Sequence, residues 1–181
     1  MKTIVLAGGA LLAAVSIRAS DQPAPLPVPE AFHWQETAGA IVALRPTAEH
    51  TYRALFSATA GADKPHGLCP AILMAGTELN VLTANGVPAS HIAFALDFHG
   101  PAAVDALLDQ EHYRQKFHCD NPNLKPLAEL KAAGVQLYVC SQLLLAIGVP
   151  HTSLTRDVTL ASDGLVVMMT FENDGYALLP F

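Results

Sequence analysis

From residue 51 to the end of the chain, strand-like and helix-like segments alternate, and this order limits the fold more than any other feature. The segment 91–100, HIAFALDFHG, is an almost unbroken apolar run, a pattern typical of a strand buried on both faces. Because helical segments separate the strand-like ones, we expect right-handed crossovers between parallel strands. The sequence therefore predicts an α/β fold with about five strands in a mostly parallel sheet, covered on both faces.

The segments follow one another without an internal repeat. Asn121 or Asn123 is placed to cap one helix and Gly134 to end it, while Met168 and Met169 fit the apolar pattern of a core helix. The expected strands are 51–59, 91–100, 135–140, 157–162 and 176–181, and the expected helices are 66–87, 101–109, 121–134, 141–149 and 163–175.

The first 40 residues differ from this pattern. Lys2, an apolar run over 4–17 and small residues near Ala19 have the order of a secretory signal peptide, with an uncleaved anchor or a buried strand as alternatives. Four prolines in residues 21–30 exclude regular helix and indicate an extended arm. We predict a periplasmic or otherwise exported protein with a signal peptide over 1–19, a proline-rich arm over 20–39 and one domain over 40–181.

Composition narrows the range of partners. The chain is 51% hydrophobic and 14% charged, which predicts a sizeable core. Removal of residues 1–19 takes away Lys2 and Arg18 and changes the net charge from −6 to −8. An acidic chain without a basic run argues against nucleic acid and against anionic membrane surfaces. The expected partner is a small molecule or another protein.

Cys140 lies where the predicted strand 135–140 meets the helix that starts with Ser141 and Gln142. Ligands of parallel sheets gather at the carboxyl ends of strands, and N–H groups at a helix start favour a thiolate. A buried structural cysteine is the alternative interpretation. Cys69 and Cys119 make the count odd, so one disulfide and one free thiol are possible, with the pairing left open.

Several quoted stretches together resemble the DsrE/DsrF-like sulfur-relay family, in its exported single-domain branch. They are the HGP at 99–101, the DNPNL at 120–124 with ELKAAGV at 129–135, the VCSQ at 139–142 and the closing GYALLPF at 175–181. The resemblance implies a flavodoxin-like three-layer sandwich that forms a homo-oligomer, a trimer or a hexamer. It also implies that Cys140 carries sulfane sulfur as a persulfide. The branch usually has glycine at the position of Ser141.

Other residues near Cys140 are candidates for the same site. His99, at the end of its strand, is expected to act on Cys140 as a base or thiolate partner, with a structural hydrogen bond as the alternative. Gln142 and Ser141 are candidates for binding the sulfur ligand, and so are Asn121 and Asn123, whose alternative role is to shape their loop. Tyr113 and Arg114 are expected at the surface or in a subunit contact.

The predicted function is that of a sulfur carrier rather than a turnover enzyme. Its expected partner is a small sulfur-containing ligand or a sulfur-transfer protein, and no cofactor is expected. Two alternatives remain open: a non-catalytic oligomeric module with a small-ligand pocket, and a periplasmic metal-binding protein. The metal-binding alternative would use some of the eight histidines, and His112, His118 and Cys119 are close in sequence. No HxH, HxxxH or CxxC spacing supports this alternative.

Overall fold

The structure, a computed structural model, describes Phe32, Gly39 and residues 41–181. The predicted signal peptide and most of the proline-rich arm lie outside the described residues. Within the described part of the chain, no helix is both long and apolar enough to cross a membrane.

Five strands and six helices form the described part of the domain. The strands are β1 (Tyr52–Ala58), β2 (Ile92–Phe98), β3 (Gln136–Cys140), β4 (Thr159–Ala161) and β5 (Ala177–Pro180). The helices are α1 (Pro70–Ala84), α2 (Pro101–Val104), α3 (Gln110–Phe117), α4 (Leu124–Ala132), α5 (Ser141–Ile147) and α6 (Gly164–Asn173), with short 3-10 turns at Ala89–His91, Asp105–Leu107 and His151–Ser153.

All strand pairs are parallel, and the strand order is β4-β3-β2-β1-β5. The chain therefore builds the sheet outward from β1 to β4 and then crosses back to place β5 on the other side of β1. The register pairs Ser57 with Asp97 and Asp97 with Tyr138, which aligns the carboxyl ends of β1, β2 and β3.

The larger core lies between one face of the sheet and helices α1 and α4. Phe56, Leu96 and Val139 point into it from three neighbouring strands and are fully buried. Leu127 of α4 and Ile72 of α1 pack from the helix side, also without exposure. Alternate residues of each strand share a face, so this core fixes which strand residues point the other way.

Helix α6 covers the second face of the sheet. Its Val167 packs against Leu55 and Ala95 in a smaller cluster, which Tyr138 and Phe171 border. Helices thus lie on both faces of an all-parallel sheet. The structure confirms the predicted α/β fold of the flavodoxin-like, three-layer kind.

The five predicted strands and five predicted helices are all present, with Gly134 just beyond α4 in the left-handed conformation at φ 90°. Helix α3 was not predicted, because its eight residues are mostly polar and carry only a short apolar stripe. Its Tyr113 is 3% exposed and donates to the carbonyl of Pro65 at 2.7 Å, so its expected surface position is wrong. Arg114 is exposed and pairs with Asp120.

Two further expectations about helices are corrected by the structure. Met168 borders the smaller core, but Met169 is 55% exposed, because α6 presents only one side to the sheet. Asn123 occupies the position before α4, yet its side chain makes no cap hydrogen bond there. Its Oδ1 accepts instead from the backbone N–H of Cys69, at the start of α1.

Phe32 joins the domain through the outer side of α1. It is 3% exposed, and its carbonyl accepts a hydrogen bond from Asn80 Nδ2 at 2.7 Å. A Cβ added to Gly76 would lie 2.1 Å from the Phe32 ring, so the aromatic ring occupies the space that a larger residue would fill.

Candidate functional site

The connections after β3 and β4 leave the sheet on opposite sides. The chain passes from β3 into α5, whose Leu144 packs in the larger core, and from β4 into α6, which covers the other face. In open parallel sheets, ligands bind in the crevice where neighbouring connections diverge in this way. Cys140 and Ala161, the last residues of the two strands, are paired at that point.

Cys140 lies at the start of α5 and on the α6 side of the sheet. Leu137 and Val139 point into the larger core, so strand alternation places Tyr138 and Cys140 on the opposite face. Cys140 is 7% exposed, and its Sγ accepts the backbone N–H of Leu143 at 3.3 Å. This hydrogen bond fixes the position of the sulfur at the start of α5.

Ser141 and Gln142 flank the sulfur on its helix side. The Ser141 hydroxyl donates to the carbonyl of Ser162 at 2.8 Å, which ties the start of α5 to the loop that follows β4. Gln142 is exposed at the same rim. Both residues follow Cys140 directly in the chain, and their role in binding a sulfur ligand stays a prediction. The Ser141 hydrogen bond holds the two sides of the crevice together.

His99 follows β2 directly, and its Cβ lies on the α6 side of the sheet, close to Gly164. Its Nε2 forms a 2.7 Å hydrogen bond with Ser57 Oγ. Within the described residues, no hydrogen bond joins His99 to Cys140. Burial lowers the pKa of His99, and the nearby carboxylate of Asp163 acts in the opposite direction. The imidazole is therefore neutral at neutral pH, and Ser57 fixes its orientation.

Asp97 lies two residues before His99 and is fully buried. Neither of its carboxyl oxygens has a hydrogen-bond partner among the described residues. Burial raises the pKa of Asp97 to about 7, and the negative charge of Asp163 adds to the increase. Burial without partners favours the protonated form of a carboxyl, which is the physical reason for the raised pKa of Asp97.

The N-terminus of α6 closes over these two residues. A Cβ added to Gly164 would lie 2.8 Å from the Cβ of His99 and 3.1 Å from Oδ2 of Asp97. Asp163, immediately before the helix, caps it by accepting the N–H of Leu165 at 2.7 Å. Glycine at this position lets the helix backbone seal Asp97 against the sheet.

Comparisons with known proteins extend the description of the fold. No protein-family model matches the chain, and no curated protein matches it. Among solved structures, the protein of unknown function MTH1491 from Methanobacterium thermoautotrophicum is similar, with a TM-score of 0.52 and 18% identity over 72% of this chain and 99% of that chain. The likeness establishes the fold alone.

Asn121 and Asn123 lie in the loop before α4 and bond to the protein itself. Asn121 Nδ2 donates to the carbonyls of Ala106 and Leu108 at 3.1 and 2.7 Å. Its Oδ1 accepts from both the backbone and the side chain of Asn123, at 2.9 and 3.0 Å. These bonds occupy both amides and fix the loop, and a role in substrate binding stays a prediction.

The histidines do not converge on a metal site in the described part of the chain, where no three His, Cys, Asp or Glu side chains are placed to hold an ion. The ring of His112 bonds instead to the carboxylate of Asp109 at 2.8 Å. The three cysteines are all free thiols. Burial raises the pKa of Cys69, whose Sγ donates to the carbonyl of Ala60.

A separate cleft of about 790 Å³ lies beside the edge strand β4. It is lined by Leu160 of that strand and by the segment 151–158, including His151 and Arg156. None of the predicted site residues lines it, so a small-ligand pocket in this cleft would be independent of Cys140.

Sequence reasoning missed Ser57, Asp97 and Asp163. A usable signal was present for Asp97, which is the one charged residue in a strand-like run expected to be buried on both faces. A charged residue in such a position is either paired or functional. Ser57 and Asp163 gave no such signal, because only the sheet register and the placement of α6 bring them to His99.

Proposed function

We propose that this protein binds and relays sulfane sulfur as a persulfide on Cys140. The observation that carries the proposal is the position of Cys140 in the crevice between β3 and β4, with its Sγ accepting the Leu143 N–H at 3.3 Å. The same N–H can donate to the sulfur anion while the Cys140 thiolate attacks a sulfur donor. The resemblance to the sulfur-relay family supports the same chemistry.

The loading step is a thiol exchange that needs no oxidant. The Cys140 thiolate attacks the outer sulfur of a donor persulfide RS–SH, the donor S–S bond breaks, and RS⁻ leaves. Cys140 then holds –S–SH, which loses its proton to solvent. The persulfide regains its proton from solvent, and a second thiolate on an acceptor then takes the outer sulfur by the same step and restores the Cys140 thiolate. The protein acts as a carrier, with a small sulfur compound or a sulfur-transfer protein on either side.

The surrounding residues have separate tasks in this proposal. Ser57 of β1 holds the neutral imidazole of His99, which adds no positive charge to this face of the sheet. The exposed amide of Gln142 is the side chain available to contact a donor at the rim. Ser141, with its hydroxyl tied to Ser162, keeps the crevice at a fixed width.

Intact-mass spectrometry after incubation with inorganic polysulfide tests the proposal. We expect one or more added sulfur atoms per chain, removed by a reducing agent, in the wild type and not in Cys140→Ser. Cys119→Ser is the matched control, because Cys119 is a partly exposed thiol outside the crevice, and it should load like the wild type. Equal loading of Cys140→Ser would overturn the proposal.

A second candidate function is an oligomeric binding module, which the outer side of α6 favours. Leu165 and Met169 are 63% and 55% exposed on this helix, and a second copy of the chain would cover them. Light scattering of the purified protein should show an oligomer that Met169→Glu dissociates. Leu145→Glu, at an apolar position on α5 that is 78% exposed, is the matched control. A monomeric wild type would exclude this candidate.

Export is a further part of the proposal and rests on the order of charge, apolar run and small residues in 1–20. Expression of the full chain in a Gram-negative bacterium, followed by N-terminal sequencing of the periplasmic fraction, tests it. We expect a new N-terminus near Ser20, and a full-length chain in the cytoplasm would contradict export.

A further inference from the structure

We infer that the charge of Asp97 controls how readily Cys140 carries an anionic sulfur. The inference rests on the proposed function and adds a proton-dependent control to it. Asp97 does not touch the sulfur and is therefore not a catalytic residue. It acts on Cys140 through the electrostatic potential on their shared face of the sheet.

The register sets the distance between the two groups. Asp97 pairs with Tyr138, and Cys140 lies two residues further along β3 on the same face. With strands about 4.8 Å apart and a rise of about 3.3 Å per residue, the two Cα atoms are about 8 Å apart. Both residues are under 10% exposed, so solvent screens an interaction between them less than it would at the surface.

Among the described residues, no cationic side chain faces Asp97 from the elements packed against it, and the positive charge nearby is the partial charge at the N-terminus of α6. His99 on β2 is held by Ser57 and is neutral at neutral pH, Asp163 before α6 is negative, and β3 contributes only Tyr138 and Cys140. Arg53, on the same face of β1, lies at the other end of the strand, near Gly175.

The backbone of α6 prevents Asp97 from relaxing toward solvent. Gly164 sits so close that even a methyl group would approach Oδ2 to 3.1 Å. Both carboxyl oxygens remain without hydrogen-bond donors in the described structure. An ionised Asp97 would therefore keep its full charge on the face that holds Cys140, and the two negative charges would repel.

The coupling links loading of sulfur to one proton. Loading that converts the neutral Cys140 thiol into an anionic persulfide adds one negative charge to this face of the sheet, whereas exchange of a thiolate for a persulfide anion adds none. While Asp97 is protonated, the added charge meets no neighbouring charge on Asp97. Where Asp97 is ionised, the added charge favours uptake of one proton from solvent by the Asp97 carboxylate. Two unit charges at a separation comparable to this Cα spacing, about 8 Å, change an equilibrium on the order of 10-fold at the effective dielectric of a protein. The raised pKa of Asp97, about 7, places this change in the neutral range.

The test compares polysulfide loading of the wild type and of Asp97→Asn between about pH 6 and pH 8, by intact mass, at equal polysulfide concentration. The ratio of the two extents cancels the titration of the sulfur reagents, which is the same for both proteins. We expect similar loading at the acidic end and on the order of 10-fold more loading of Asp97→Asn at the basic end. Asp63→Asn, which removes an exposed carboxylate, should follow the wild type.

A second variant covers the case in which Asp97→Asn fails to fold. Asp163→Asn removes the neighbouring negative charge that helps to raise the Asp97 pKa, and asparagine can still cap α6. In Asp163→Asn the fall of sulfur loading with rising pH should begin at a lower pH than in the wild type, because Asp97 then ionises at a lower pH.

Two outcomes overturn the inference, and they differ in what they say of the proposed function. A pH-independent ratio, with no shift in Asp163→Asn, refutes control by Asp97 while leaving the carrier function in place. Absence of loading at every pH, in the wild type and in both variants, refutes the carrier function and the inference together.

Discussion

Replacing Asp97 by asparagine should make the folded protein more stable at neutral pH. The carboxyl is fully buried and has no hydrogen-bond partner in the described structure, so its ionised form is strongly disfavoured there. Asparagine has nearly the same shape and does not ionise. The substitution therefore removes the cost of charging this site and leaves the packing beneath α6 almost unchanged.

The size of the effect follows from the two pKa values of the carboxyl. In the folded protein the pKa of Asp97 is raised to about 7, against 3.8 for an unperturbed aspartate. Between these values the folded state keeps a proton that the unfolded state has released, so wild-type stability falls as the pH rises. At about 1.4 kcal/mol per pKa unit, the wild type loses at most about 4 kcal/mol of unfolding free energy. Local relaxation around the carboxylate makes about 2 to 4 kcal/mol the expected range.

Urea denaturation of the wild type and Asp97→Asn, between about pH 4 and pH 8, measures this loss directly. The difference in unfolding free energy should grow in favour of Asp97→Asn up to about pH 7 and stay constant above it. Asp63→Asn, at an exposed position, controls for the removal of one negative charge. A difference that does not vary with pH would show that Asp97 is solvated or paired in the folded state, and the reasoning would be refuted.

Three further predictions concern contacts that position the domain and the site. Ser57→Ala leaves Nε2 of His99 without its 2.7 Å partner and should lower the free energy of unfolding in urea by about 1 to 3 kcal/mol. Ser57→Thr keeps the hydroxyl and should recover part of this loss. Equal stability of Ser57→Ala and the wild type would contradict the role of Ser57. Asn123→Ala removes the acceptor of the Cys69 N–H and a donor to Asn121, and it should lower the free energy of unfolding by about 1 to 3 kcal/mol. The control Asn85→Ala should lower it less, because the partly buried Asn85 side chain bonds to Val81 within its own helix end. Gly76→Ala should displace the Phe32 ring from α1 and lower the free energy of unfolding in urea denaturation, as Phe32→Ala should. Wild-type stability of both variants would show that this contact does not stabilise the domain.

The order of the elements was readable from the sequence because the signals for it are local. A buried strand such as β2 is recognisable by its apolar run, and α4 is recognisable by good helix formers that end at Gly134. Helix α3 lacked such a signal, since only Tyr113 of its eight residues is buried. Met169 was misplaced for a related reason: α6 is apolar all round, and the sequence does not say which side faces the sheet.

The site was only partly readable, since its members come from distant parts of the chain. Cys140 could be located because a strand-to-helix junction is visible in the sequence. The residues on the same face as Cys140 could not be predicted from the sequence. Ser57, Asp97 and Asp163 reach one edge of the sheet only through the parallel register and the return of the chain across the sheet. The exchange of hydrogen bonds between Asn121, Asn123 and Cys69 was equally hidden, and it replaced the expected helix cap.

The buried carboxyl of Asp97 connects the stability of the fold with its proposed chemistry. A fully buried, unpartnered acid makes the folded state less stable at neutral pH, and asparagine or an apolar residue of similar size would avoid that cost. Such local conflicts with stability are expected at sites that serve function. The two experiments on Asp97→Asn therefore have to be considered together. If the variant is more stable and its sulfur loading no longer falls with rising pH, the same ionisation that weakens the fold regulates Cys140. If only stability changes, the carboxyl acts on the packing of α6 and not on the sulfur.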